Sequence, residues 1–135
     1  MVVAACAILL CAGQATAATM LPPCPDSPNC VSSQATWSLQ QVAPFEFTGS
    51  AEAAQGRLLS VLEQDRSATV VDARPGWIAV EFRSRVLGFI DDVRFELDAA
   101  AAVFHVQSAS RIGLWDWGVN RRRVEALRTK FNAGG

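Results

Sequence analysis

From Ala68 to Ala109 the chain reads as a run of four strands, and no other stretch restricts its fold as tightly. Ile78, Val80 and Phe82 alternate with Ala79, Glu81 and Arg83, a period that sends one set to a buried face and the other to a polar one. Phe89 to Leu97 repeats it, with Val93, Phe95 and Leu97 against Asp92, Arg94 and Glu96. Ala68–Ala73 and Trp77–Ser84 are separated by Arg74-Pro75-Gly76, whose Pro and Gly suit a tight reversal. After Asp98-Ala99-Ala100-Ala101, Val103 to Ala109 makes the last strand, with Phe104 and Val106 inward. A short edge strand is expected near 42–47, interrupted by Pro44. Between it and the run, Ser50 caps a helix to about Gln64 that puts Ala51, Ala54, Leu58, Val61 and Leu62 on one face. Val124, Leu127 and Phe131 mark a second amphipathic helix. The expectation is an α+β domain: an antiparallel β-meander of four to five strands, with two amphipathic helices packed on one face, in the order β-α-β-β-β-β-α.

At 135 residues there is room for one such domain. Residues 1–17 are expected to be a signal or targeting peptide: no charge occurs before residue 19, Val2 to Ala12 is apolar, and Ala15-Thr16-Ala17 has the small residues a signal peptidase reads. The segment lacks the basic start of a standard signal. Residues 18–36 form an extended arm, and 37–135 form the domain. Cys6 and Cys11 fall in the segment to be removed, which leaves Cys24 and Cys30 around Pro-Asp-Ser-Pro-Asn. A disulfide in an oxidising compartment is the expected state, with free thiols, a metal site or a redox pair as alternatives. His105 is the chain's single His, so a zinc site lacks ligands, and no metal or other cofactor is expected. The expected location is extracytoplasmic, in a periplasm or secreted; an organellar lumen such as the thylakoid, or anchoring through the N-terminal segment, is the alternative.

The stretch Ser108 to Arg123 is specified by more than packing. Ser108 and Ser110 end the last strand, Arg111 follows, Gly113 and Gly118 bracket Trp115 and Trp117, and Asp116 and Asn120 precede Arg121, Arg122 and Arg123. This reads as a shaped strand-to-helix turn. If Asn120 is the cap, the three Arg stand at the positive end of the helix and favour an anion there. If Asp116 is the cap, they fall further in and pair with acids on the sheet. Asp91 and Asp92, being adjacent in a strand, point to opposite faces, and His105 faces away from Ser108. Of the two Trp, one is expected to be buried and one partly exposed. Residues 111–135 carry six basic side chains against two acidic ones, while residues 1–110 carry six against eleven. The C-terminal piece is thus expected to dock on an acidic body, and nucleic acid is excluded as a partner.

Ser110, Arg111, Gly113, Asp116, Gly118, Asn120, Arg121 and Arg123, with Cys24-Pro-Asp-Ser-Pro-Asn-Cys30-Val-Ser-Ser and Gly88-Phe-Ile-Asp91-Asp92-Val, resemble the domain-of-unknown-function family 1499. Gln107 and Leu114-Trp115 depart from that family's usual residues. The resemblance implies a small extracytoplasmic or organellar protein with no established activity.

The candidate ligand-binding residues are Ser108, Ser110, Arg111, Asp116, Asn120, Arg121 and Asp92. The expected function is that of a non-catalytic module binding a small anionic ligand or a protein partner, a membrane being the less favoured surface. One alternative is a hydrolase-type enzyme using Asp92, Asp116 and a Ser. The other is a purely structural polar network without a ligand.

Overall fold

In the computed structural model, which describes residues 19–113 and 115–135, the alternating segments pair into one antiparallel sheet. Its strands are β1 (Cys30–Ser32), β2 (Phe45–Glu46), β3 (Ala68–Arg74), β4 (Trp77–Arg83), β5 (Ile90–Asp98) and β6 (Val103–Ser110). Helix α1 (Ala51–Glu63) lies between β2 and β3, and α2 (Val119–Ala133) follows β6. The spatial order is β1-β6-β5-β4-β3, with β2 also paired to β6. The fold is α+β in the order β-α-β-β-β-β-α, with β1 as one more short strand ahead of it. The targeting peptide read at residues 1–17, with Cys6 and Cys11, lies outside the described residues, as does Leu114.

Register follows the alternation. Ile78 faces Phe95 and Val80 faces Val93 across β4 and β5, while Phe95 faces Val106 and Leu97 faces Phe104 across β5 and β6. The inward residues meet the apolar stripes of both helices. Phe45, Phe95, Phe104, Phe131, Leu58 and Leu62 are fully buried there. The Phe45 ring meets Phe95 edge-on at 5.2 Å and Phe131 at 5.7 Å, the geometry aromatic quadrupoles favour. Helix α1 begins as its sequence requires, the Ser50 hydroxyl accepting from the Ala53 N–H at 3.1 Å.

Two edges differ from the sequence reading. The arm holds a strand: Cys30, Val31 and Ser32 pair with Ala109, Ser108 and Gln107. Three residues are too few to show a period. Cys30 and Ser32 face the outer side of the sheet, yet both are buried, because the N-terminal arm crosses that face. Leu21 is buried there, and the Gln107 amide donates to the Pro22 carbonyl at 2.7 Å. The edge strand expected over 42–47 shrinks to Phe45–Glu46. Its preceding carbonyls are engaged elsewhere: the Arg121 guanidinium donates to those of Leu39 and Gln41, and that of Arg128 to Ala43 and Pro44. Arg128 also sits over the Phe45 ring, 4.7 Å from its centroid.

Phe45 is therefore where β2, the sheet and α2 meet. Phe45→Ala is expected to lower unfolding stability by about 3–5 kcal/mol, measured by urea denaturation, with an unchanged dependence on urea concentration.

Candidate functional site

Ser108 and Ser110 on β6, and Asp91 opposite Ser110 on β5, share the face that α2 covers. Asn120, in the first turn of α2, is 0% exposed and reaches both serines directly and Asp91 through Arg123. Its side-chain oxygen accepts from the Ser108 hydroxyl at 2.5 Å and from Arg123 Nη1 at 2.7 Å. Its amide nitrogen faces three acceptors: Asp116 Oδ2 at 2.8 Å, Ser110 Oγ at 2.9 Å and the Asn29 carbonyl at 3.0 Å. Two hydrogens shared among three acceptors leave no capacity for a further partner. Arg123 completes the group by pairing with Asp91, both side chains mostly enclosed, and its guanidinium lies over the Phe82 ring at 4.9 Å.

The start of α2 is closed by the chain's own carboxylate. Asp116 accepts from the Gly118 and Asn120 N–H groups, each at 2.9 Å. That is the service an anion would perform at a helix N-terminus. The N-cap is Gly118 and the helix begins at Val119, so neither sequence reading of the cap holds. Asn120 is a buried residue of the first turn, and Asp116 supplies, from two residues ahead of Gly118, the acceptor that glycine lacks. Of the three Arg only Arg123 pairs with an acid on the sheet. The chain reaches this position through Trp117 and Gly118, both with positive φ, 53° and 74°. Gly adopts such a backbone freely; a Trp does so only under constraint.

Asn29 ties this corner to the arm. Cys24 and Cys30 form a disulfide, and the loop they enclose presents Asn29, whose carbonyl accepts from Asn120 Nδ2 and from the Ser110 N–H at 3.0 Å. The Asn29 amide donates to the Gly113 carbonyl. Asn29, Asp91 and Arg123 are members of the network that the candidate set omitted. The alternation of Asp91 and Asp92 was a signal for one of them. For Asn29, no local pattern indicates that the loop folds back onto β6.

The structure does not bring the remaining candidates together. Asp92 lies on the outer face, where Arg111 donates to it through Nε and Nη2, each at 2.9 Å, and also pairs with Glu81. Arg121 holds the carbonyls of Leu39 and Gln41 at 2.9 and 2.8 Å. The forks of Arg111 and Arg121 thus do not converge on Ser108. A groove of about 530 Å³ between α1 and the β3–β4 turn includes none of the candidate residues. His105 Nδ1 lies 3.2 Å from Ser33 Oγ on the outer side. Among the described residues no cluster of three metal-ligating side chains occurs. The expectation of one buried Trp is corrected: Trp115 and Trp117 are 63% and 80% exposed. Asp116, between them, turns inward to cap the helix, and its neighbours on either side turn out.

Hydrogen bonds from Arg111 hold the Asp92 carboxyl below its usual range, outweighing the partial burial that pushes it up. A depressed folded-state value means the pair stabilises the fold above about pH 4, the ordinary carboxylate range. That contribution fades as pH falls through the lowered value. Arg111→Gln is expected to move the Asp92 midpoint upward in a carboxyl NMR titration and to flatten the loss of stability in acid. Asn120→Ala, which takes one hydrogen-bond partner from each of Ser108, Ser110, the Asn29 carbonyl and Arg123, is expected to cost about 1–3 kcal/mol by chemical denaturation. No curated protein and no solved structure matches this chain. The model of the family described as "Protein of unknown function (DUF1499)" matches residues 20–131, the span that holds the sheet, both helices and the Asn120 network, and the chain belongs to that family.

Proposed function

We propose that this protein is a non-catalytic binding module in which the polar corner is a structural brace, and that its binding surface is the segment the corner holds in place. One observation carries the reading. The polar atoms of the corner are satisfied from within, by Ser108, Ser110, Asp116, Asn120, Arg123 and Asp91, while large apolar side chains are exposed beside it, among Arg111 and Arg122. Ile112, Trp115, Trp117 and Val119 all stand in solvent. Exposed apolar groups clustered on a braced turn mark an interaction surface, and Trp is enriched at such surfaces.

The hydrolase alternative has less support. The Ser108 hydroxyl is enclosed and donates to Asn120, His105 faces the opposite side, and Asp92 is engaged by Arg111 across the sheet from Asp116. A small anion at the start of α2 would have to displace Asp116 from two backbone N–H groups. The Cys24–Cys30 bridge supports an oxidising compartment and hence an exported protein.

Asp116→Ala separates brace from anion site. Losing the cap is expected to cost about 1–2 kcal/mol. If that loss opens the turn locally, chymotryptic cleavage at Trp115 or Trp117 should rise roughly five- to thirtyfold while the far-ultraviolet circular dichroism is kept. Inorganic phosphate is expected to leave the wild-type melting temperature unchanged. Unchanged cleavage in the variant, or stabilisation of the wild type by phosphate, would return the corner to the role of a ligand site.

A further inference from the structure

The exposed apolar side chains are not scattered. Of the eleven large ones among the described residues, seven lie on two segments: Val86, Leu87 and Phe89 in the β4–β5 turn, and Ile112, Trp115, Trp117 and Val119 from the end of β6 to the start of α2. Both segments leave the same end of the sheet, where Asp91 pairs with Ser110 and the Arg111 N–H donates to the Ile90 carbonyl at 3.2 Å. Val86 is 91% exposed, Leu87 67% and Trp117 80%.

Both segments are held open by hydrogen bonds. In the β4–β5 turn the Ser84 N–H donates to the Phe89 carbonyl at 2.9 Å, Ser84 Oγ accepts from the Phe89 N–H at 3.0 Å, and Arg83 donates to the Gly88 carbonyl at 3.2 Å. In the other segment Asn29 holds Gly113 and Arg122 holds the Trp117 carbonyl at 2.6 Å. Trp115 and Trp117 touch only edge to face, with ring centroids 6.3 Å apart. Trp117 also accepts a left-handed backbone, φ 53°, without being buried in return. Strain of this kind persists where the surrounding structure imposes it, and it is commonest at functional sites.

Three basic side chains stand free at this tip. Arg83, Arg85 and Arg122 stand in or beside the two segments and make no ion pair among the described residues. The acids close by are engaged: Asp116 by α2, Asp91 by Arg123, Asp92 and Glu81 by Arg111, and Asp65, which lines a groove with Val119 and Arg122, by Ser67. Trp, Leu, Val and Phe on projecting turns, with unpaired Arg at their base, is the composition that seats in the headgroup region of a bilayer. Indole rings favour that layer, aliphatic side chains reach the acyl boundary, and guanidinium groups meet lipid phosphates.

We infer that the β4–β5 turn and the Trp115–Trp117 segment together form a docking tip for a membrane surface carrying anionic lipid. The inference rests on the reading of the corner as a brace, and it names the partner that the braced segment takes. The N-terminal stretch plays no part in it.

The test uses the full chain with vesicles of equal parts phosphatidylglycerol and phosphatidylcholine, and with phosphatidylcholine alone. The wild type is expected to sediment with the mixed vesicles, more weakly with phosphatidylcholine, and less as salt is raised. Brominated lipid should quench its emission, and that quenching should be lost in a Trp115→Phe, Trp117→Phe double variant. Leu87→Ser combined with Trp117→Ser is expected to weaken partition at least about tenfold with an unchanged melting temperature. Arg85→Glu should weaken binding to the mixed vesicles alone. Absence of vesicle binding would overturn the inference, as would binding that the Leu87, Trp117 variant retains in full or quenching that survives in the double Phe variant. Self-association of the wild type that this variant abolishes, without vesicle binding, would make the tip a protein interface and leave the brace intact. Failure of the brace is read separately, from chymotryptic cleavage of Asp116→Ala.

Discussion

A single buried amide joins the parts of this molecule that its chain keeps far apart. Asn120 has no exposed surface, and its side chain reaches the end of β6, the turn before α2, the backbone of the disulfide loop and, through Arg123, an acid on β5. A buried polar group without partners is costly, whereas one with all its partners fixes a unique arrangement of the elements that supply them. Arm, sheet and closing helix therefore set one another's positions at this point.

The arginines divide along the same logic. Arg123 is enclosed and paired with Asp91, and Arg111 joins two acids on the opposite face. Arg121 and Arg128 instead hold the carbonyls of residues 39–44 against α2, supplying donors where an irregular segment has no ladder of its own. The basic excess of the C-terminal piece is spent partly on the acidic sheet, as the charge distribution implied, and partly on backbone oxygens. Arg122 is different, with a single short hydrogen bond to the Trp117 carbonyl and its side chain in solvent.

This arrangement separates what is rigid from what is displayed. Polar atoms that on paper look suited to a ligand are turned inward and engage one another. Residues that resemble core material, Trp115, Trp117, Val86 and Leu87, are turned outward. Exposing a large apolar side chain forgoes about 1.5–3 kcal/mol of burial. The brace fixes the backbone beside Trp115 and Trp117, and Ser84 and Arg83 fix that beside Val86 and Leu87.

The sequence by itself determined the sheet, the two helices and the facing of their residues. Period-two alternation over 77–109 and the three-and-four spacing of Val124, Leu127 and Phe131 are one-dimensional statements about which side chains avoid water. It also favoured the disulfide over free thiols, a metal site or a redox pair through the Cys24 and Cys30 spacing, and implied the opposed facing of Asp91 and Asp92. Tertiary structure alone decided that Asn29 would meet Asn120, 91 residues away, that a strand of three residues would pair with β6, and that both Trp would face solvent. None of these has a local period. Each depends on which acceptor lies within hydrogen-bonding distance once the chain has folded back on itself, and that distance is set by packing of the whole core.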